Sequence, residues 1–196
     1  MTTRDIIIQK TTSLFAKNGY ENFSMRTLAQ DIPLAQSVIY HYFPDKDSLL
    51  RTMFETLNTS LGQKRRALVE PTTASDMLMQ RIEFQLDNAE AIVAVLKYYL
   101  AYRRTFMKFE GGFVPDKSAL HIEEVLTKGL NTGEFYVDDL KKDAKVITHA
   151  VNGFLLEYYP DIPKGKARKE LCQTIHNFLI RALMKGGELH EESLTY

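Results

Sequence analysis

Residues 24–50 read SMRTLAQDIPLAQSVIYHYFPDKDSLL, a sequence that predicts two short helices joined by a tight turn. Ser24 can cap the first helix by accepting one of its free backbone N–H groups. Pro33 ends that helix because proline has no N–H and displaces the preceding residue from helical geometry. A second helix over about residues 36–42 then carries its apolar side chains at helical spacing. This pattern indicates a helix-turn-helix, whose second helix fits the major groove of DNA.

The same stretch resembles the DNA-binding domain of the TetR family of bacterial transcription regulators. The resemblance is strongest at residues 39–50, IYHYFPDKDSLL, where an aromatic residue is followed by Lys46, an acidic residue and two leucines. It extends over roughly residues 1–50, and the rest of the chain resembles the family only in its helical layout. The sequence departs from the family pattern at Pro33, where glycine is usual, and at Ala35, where a serine or threonine cap is usual.

The remaining segments also carry helical patterns, separated by Pro71 and by the sequence GGFVPD at residues 111–116. We therefore predict an all-α protein. The resemblance implies two parts: a three-helix helix-turn-helix DNA-binding domain over residues 1–50, and a helical ligand-binding and dimerisation domain over residues 51–196.

Seven residues are predicted to contact DNA. The resemblance places Lys46 and the two tyrosines of the second helix at the sugar-phosphate backbone, and an arginine of the first helix at a base or phosphate. Gln36 can pair with adenine, and Val38 can touch a thymine methyl group. The alternatives are a core position for Tyr40 and simple solvent exposure for Ser37. The seven are Arg26, Gln36, Ser37, Val38, Tyr40, Tyr42 and Lys46.

A second group is predicted to line a ligand pocket, because aromatic and methionine side chains line pockets well and the family commonly binds a small molecule between its middle helices. The alternative for each aromatic or methionine is a core position, and for the arginine a solvated surface position. The group consists of Met79, Phe84, Tyr98, Tyr99, Tyr102, Arg103, Phe106 and Phe113.

A third group follows from the resemblance, because the family pairs its last two long helices with those of a second subunit. The alternative is that these apolar faces are buried within their own domain, which any amphipathic helix requires. The predicted dimerisation residues are Ile147, Val151, Phe154, Leu155, Leu171, Ile175, Phe178 and Leu179.

Composition gives no independent support for DNA binding, since the formal net charge is zero and residues 1–50 contain five basic and five acidic side chains. Attraction to phosphate must therefore come from local placement. The single cysteine, Cys172, rules out an intramolecular disulfide framework, and no signal sequence or apolar run of membrane-spanning length is present. We expect a cytoplasmic protein without membrane contact.

The sequence lacks a phosphate-binding glycine loop, a nucleophile elbow and paired cysteines with metal-ligand spacing. We therefore predict no enzyme activity, no catalytic or metal site and no cofactor. The prediction is a homodimeric repressor that binds a palindromic double-stranded DNA operator and is released by a small-molecule effector. The alternative is a helical scaffold for protein interactions that uses the helix-turn-helix only for packing, and such a scaffold would not bind duplex DNA.

Overall fold

A computed structural model describes residues 2–106 and 117–184, without the side chains of residues 103–106, 117 and 118. Within these residues all regular structure is helical, which confirms the predicted all-α class. The helices are α1 (Thr3–Asn18), α2 (Met25–Asp31), α3 (Gln36–Tyr42), α4 (Lys46–Arg66), α5 (Ala74–Asp87), α6 (Ala89–Phe106), α7 (Lys117–Thr132), α8 (Leu140–Tyr158) and α9 (Gly165–Met184).

The helix-turn-helix forms as predicted. Ser24 caps α2 by accepting the Thr27 N–H at 3.1 Å, and α2 ends before the buried Ile32. Residues 32–35 form the turn, and α3 begins at Gln36 without a side-chain cap, as expected from alanine at the capping position. Asp45 caps α4 by accepting the Ser48 N–H at 2.7 Å. The starts of α2 and α4 are therefore set by the capping residues that the sequence offers.

Some predicted boundaries differ from the structure. Apolar side chains at helical spacing predict a fourth helix that reaches about Val69, but this helix ends at Arg66. The same spacing predicts that the eighth helix starts at about Asp138, but it starts at Leu140 because the Asp139 carboxylate accepts the Lys142 N–H and so serves as its cap. The predicted loop at 111–116 and the tail from residue 186 lie outside the described residues.

The chain divides into two compact units. Unit 1 comprises the described parts of residues 1–68 and 88–111, so that α6 packs with α1 and α4. Its core is built from apolar side chains of α1 to α4. The largest fully buried ones are Ile7, Phe15, Leu28, Ile39, Leu49, Leu50 and Met53. The predicted functional division at residue 50 stays a prediction.

Unit 2 comprises the described parts of residues 69–87 and 112–196. Its α5 packs against α7 and α9, while α8 packs mainly along α7. Ion pairs and caps fix these contacts: Arg168 binds Asp87 at 2.7 Å, and the Glu134 carboxylate accepts the Ala74 and Ser75 N–H groups at the start of α5. Among the described residues, no helix has both the length and the apolar character needed to span a membrane.

Candidate nucleic-acid interface

The α3 helix presents one buried and one exposed face. Ile39 is fully buried and anchors the helix, while Gln36, Ser37 and Tyr40 are exposed and Val38 is half-buried. Tyr40 is 43% exposed, which does not fit the core position considered as its alternative. Polar groups that can form hydrogen bonds with base edges are therefore accessible on the outer side of the second motif helix.

The C-terminal end of α3 adds further accessible groups. Tyr42 is 41% exposed, and the His41 ring packs against it edge to face at 5.4 Å. The Arg4 guanidinium lies 5.6 Å from the centre of the Phe43 ring, so α1 places a cation next to this end of α3. Neither Arg4 nor His41 is among the seven residues that the sequence predicts to contact DNA.

Lys46, at the first position of α4, is held in place by Tyr20. Its Nζ donates to the Tyr20 carbonyl oxygen at 2.6 Å and lies 3.8 Å from the centre of the Tyr20 ring. Partial burial lowers the pKa of Lys46, and the nearby carboxylates of Glu21 and Asp47 oppose that shift. The ammonium group has three donors, so further N–H groups remain for an anion.

Tyr102 of α6 and Tyr20 meet at one carboxylate oxygen. The Tyr102 hydroxyl donates to Asp47 Oδ1 at 2.6 Å, and the Tyr20 hydroxyl donates to the same atom at 3.1 Å. Burial and the Asp47 hydrogen bond and charge raise the pKa of Tyr102 far above its ordinary value, so it remains a neutral donor. Tyr102 stacks on Tyr98 at 4.1 Å, and Tyr98 stacks on Phe54 at 4.5 Å.

The acidic side chains of the first fifty residues are largely engaged in local structure. Asp5 and Asp45 accept backbone N–H groups at the starts of α1 and α4, where a carboxylate complements the helix dipole. Asp31 pairs with Lys10 at 3.5 Å, and Asp47 accepts the two tyrosine hydroxyls. Arg4, Lys17 and Arg26 are exposed, so positive charges remain accessible although the segment has no net charge.

The predicted ligand residues are distributed over both units. Tyr98, Tyr99 and Tyr102 belong to unit 1, and the first and last of these are buried in its aromatic stack. Met79 and Phe84 belong to unit 2. The side chains of the other three, Arg103, Phe106 and Phe113, lie outside the described residues. Their role in ligand binding stays a prediction.

Unit 2 carries an open groove of about 640 Å³ along α7, and the predicted ligand residues do not line it. The groove combines apolar, acidic and amide side chains. Its lining residues are Leu120, Glu123, Glu124, Thr127, Lys128, Asn131, Thr132 and Leu140. Among the described residues, no cluster of three or more histidine, cysteine or acidic side chains is placed to hold a metal ion.

The predicted dimerisation residues divide between the two sides of their helices. Phe154 is exposed, Phe178 is 58% exposed, and Leu171 is half-buried. Five others are buried within unit 2: Ile147, Val151, Leu155, Ile175 and Leu179. The prediction from helical spacing therefore put side chains that face the core and side chains that face outward into one group. The exposed apolar residues of α8 also include Val146, Leu156 and Tyr158.

Comparisons with known proteins agree with this geometry. Residues 7–53 match the family described as bacterial regulatory proteins, tetR family. Over 125 residues, 64% of this chain and 60% of the relative, the sequence is 22% identical to the uncharacterized HTH-type transcriptional regulator YhgD of Bacillus subtilis. Over 103 residues, 50% of this chain and 52% of the relative, it is 27% identical to the HTH-type transcriptional regulator BetI of Ectopseudomonas mendocina.

A solved structure extends the likeness to most of the fold. The crystal structure of the MbdR regulator from Azoarcus sp. CIB superposes with a TM-score of 0.66 over 93% of this chain and 99% of that one, at 20% identity. The sequence matches to the two curated relatives span somewhat more than half of their lengths.

Proposed function

We propose that this chain is a transcription regulator of the TetR family that binds duplex DNA, because residues 7–53 match the model of that family. The observation that carries the proposal is the orientation of α3. Ile39 anchors the helix in the core, so that Gln36, Ser37 and Tyr40 point outward from a helix-turn-helix with a four-residue turn. That is the arrangement in which a second motif helix can lie in a major groove.

Within this proposal the two kinds of DNA contact fall to different residues. Gln36, Ser37 and Val38, at the N-terminal end of α3, contact base edges and so determine sequence preference. Arg26 and Lys46 contact phosphates, as do the exposed tyrosines of α3, and these contacts fix position and orientation without specifying sequence. Lys46 is well placed for this because it lies in the first turn of α4, where the helix N-terminus also attracts an anion.

We further propose that the protein is a homodimer joined through the exposed apolar surface of α8 and α9. Phe154 and Phe178 are exposed although they are large and apolar. A methyl group added at Gly153, beside Phe154, would meet no atom within 4 Å, so the helix surface there is open to close approach. A twofold dimer would bind two half-sites about 34–36 Å apart, which requires a palindromic operator.

The proposed mode of regulation is repression relieved by a small molecule. The aromatic and methionine side chains that the sequence predicts to bind the effector suit an apolar or aromatic molecule. Such an effector would release DNA only if it binds the DNA-incompetent arrangement more tightly than the competent one.

DNA binding is tested by selecting duplexes from a random library with the purified protein and titrating the selected duplex against salt. We expect an inverted repeat to be enriched, and the logarithm of the binding constant to fall linearly with the logarithm of salt concentration. A protein that enriches no duplex and binds none at low salt would contradict the proposal and favour the helical scaffold.

Dimerisation is tested by sedimentation of Phe178→Glu against the wild-type protein. The charge should dissociate the dimer, because an unpaired carboxylate in an apolar interface is strongly unfavourable. The matched control is Val69→Glu, since Val69 is also apolar and is 86% exposed but lies between α4 and α5. Equal sedimentation of Phe178→Glu and the wild type would contradict this interface.

A further inference from the structure

A continuous set of contacts in unit 1 links α6 to the first residue of α4. Tyr102 donates to Asp47, and Tyr20 donates to the same carboxylate oxygen. Tyr20 in turn holds Lys46 in two ways, through its carbonyl oxygen at 2.6 Å and through the face of its ring at 3.8 Å. Tyr102 is therefore linked to the predicted phosphate-binding lysine through Asp47 and Tyr20.

The α6 end of this set is firmly placed. Tyr102 is buried and stacks on Tyr98, whose ring stacks on Phe54 of α4. The 2.6 Å bond from its hydroxyl to Asp47 is short, as expected for a hydrogen bond to a carboxylate, and such bonds are about twice as strong as neutral ones. Asp47 is exposed at the protein surface, and the Tyr102 bond is the shorter of the two tyrosine hydrogen bonds that hold its carboxylate.

Tyr20 is the least supported member, because it lies in the non-helical segment between α1 and α2. Its ring meets the edge of Tyr102 at 5.4 Å and an interplanar angle of 85°, and its hydroxyl is bound to Asp47. The two contacts place the Tyr20 ring beneath the Lys46 ammonium. Loss of the Tyr102 hydroxyl would leave Asp47, and through it Tyr20, with one fewer constraint.

We propose that Tyr102 is a positioning residue for DNA binding, which acts through Asp47 and Tyr20 to hold the Lys46 ammonium ready for a phosphate. A lysine side chain is long and flexible, and a side chain that is ordered before binding loses less conformational freedom when it binds. The inference rests on the proposed DNA-binding function and adds to it a residue of α6, outside the helix-turn-helix and its flanking helix.

The test compares Tyr102→Phe, Lys46→Met and the double variant, using the duplex selected by the wild-type protein. We expect Tyr102→Phe to raise the Kd about fivefold, which is the usual worth of one hydrogen bond. The salt dependence should also weaken: the slope of the logarithm of the binding constant against the logarithm of salt concentration should be smaller in magnitude by about 0.9 for each subunit whose Lys46 loses its phosphate contact. The double variant should bind as weakly as Lys46→Met alone, because both substitutions remove the same contact.

The control is Tyr136→Phe in unit 2, which also removes a tyrosine hydroxyl under the influence of an aspartate, since Asp138 raises the pKa of Tyr136. It should leave both the Kd and the salt slope unchanged. If Tyr102→Phe does not fold, Tyr20→Phe makes the same test, because it removes the neighbouring bond to Asp47 and keeps the ring beneath Lys46.

A purely structural role for Tyr102 would lower the urea midpoint and leave the salt slope unchanged, and that result would overturn the inference. Additive effects in the double variant would overturn it too. Tighter binding by Tyr102→Phe would mean that the contacts withhold Lys46 from DNA, which is the opposite of the proposed role. Failure of the wild-type protein to bind any duplex would instead refute the proposed function, so the two failures are distinguishable.

Discussion

Lys97 of α6 stabilises the C-terminal end of α1, and its replacement by methionine gives a quantitative prediction. The Lys97 ammonium donates to the Ala16 carbonyl oxygen at 2.6 Å and to the Lys17 carbonyl oxygen at 3.2 Å. These carbonyls belong to the last turn of α1, where the helix has no further N–H groups to offer them and carries partial negative charge. Lys97→Met keeps the apolar stem and removes only the charged donor.

The expected loss of unfolding free energy is about 2 kcal/mol. Hydrogen bonds from charged groups are each worth about 1.5–3 kcal/mol when well buried. Here one bond is partly buried, and the other is longer and exposed, so the pair is worth little more than one good bond. The interaction with the helix dipole adds about 0.3–1 kcal/mol, and the cost of ordering the lysine chain offsets part of that gain.

Urea unfolding followed by circular dichroism measures this loss, since the chain has no tryptophan for fluorescence. The control is Lys166→Met. The Lys166 side chain is 92% exposed, and its ammonium pairs at 3.5 Å with Glu170, one turn further along α9. Exposed pairs of this kind contribute about 0.3–0.5 kcal/mol. If Lys97→Met loses no more stability than Lys166→Met, the claim that Lys97 holds the end of α1 is wrong.

Three further predictions concern other parts of the chain. Hydrogen bonds from the start of α5 lower the pKa of Glu134, so the stabilisation by its charge is present above its unfolded pKa of about 4.3 and is lost as pH falls through its lower folded pKa. The unfolding free energy of Glu134→Gln should therefore approach that of the wild type in acid. A difference in unfolding free energy that does not change with pH would contradict this. Gly129→Ala should lower the free energy of unfolding in urea by about 2 kcal/mol, because the new Cβ meets the buried Phe135 ring. Gly62→Ala, whose new Cβ has Arg66 Nη1 as its nearest neighbour at 3.6 Å, should instead raise it by about 0.5–1 kcal/mol. Gln36→Ala should relax sequence preference at one base position by about 1–3 kcal/mol in a duplex selection, and an equal loss on all sequences would mean a phosphate contact instead.

The features that sequence reasoning predicted best depend on neighbours in the chain. Ser24 and Asp45 each cap a helix through an N–H three residues away, and the turn at Pro33 follows from that residue alone. Local interactions of this kind are determined by short stretches, which is why the helix-turn-helix and most helix bounds were predictable. The structure buries Ile39 of α3 and leaves Gln36 and Ser37, which were predicted to contact bases, exposed.

The features that sequence reasoning missed join residues far apart in the chain. Lys97 meets Ala16 at a separation of 81 residues, and Tyr102 meets Asp47 at a separation of 55. No local pattern marks such partners, since each depends on how α6 packs against α1 and α4. The same limit explains the mixed group on α8, where the adjacent Phe154 and Leu155 are exposed and buried respectively. Apolar periodicity identifies a helix face, but the neighbouring helices decide which residues at its margin remain exposed.

These long-range contacts matter for the proposed DNA binding because residues 1–50 carry no net charge. A strongly basic DNA-binding domain gains affinity from its overall field, and the loss of one lysine changes that field only slightly. Residues 1–50 have balanced charges, so any affinity for phosphate depends on where each cation is held. Lys46 is held by Tyr20, and Tyr20 is held by a carboxylate that α6 fixes through Tyr102. In a domain without net positive charge, a hydrogen bond from outside the helix-turn-helix can therefore matter to DNA affinity as much as a charge within it.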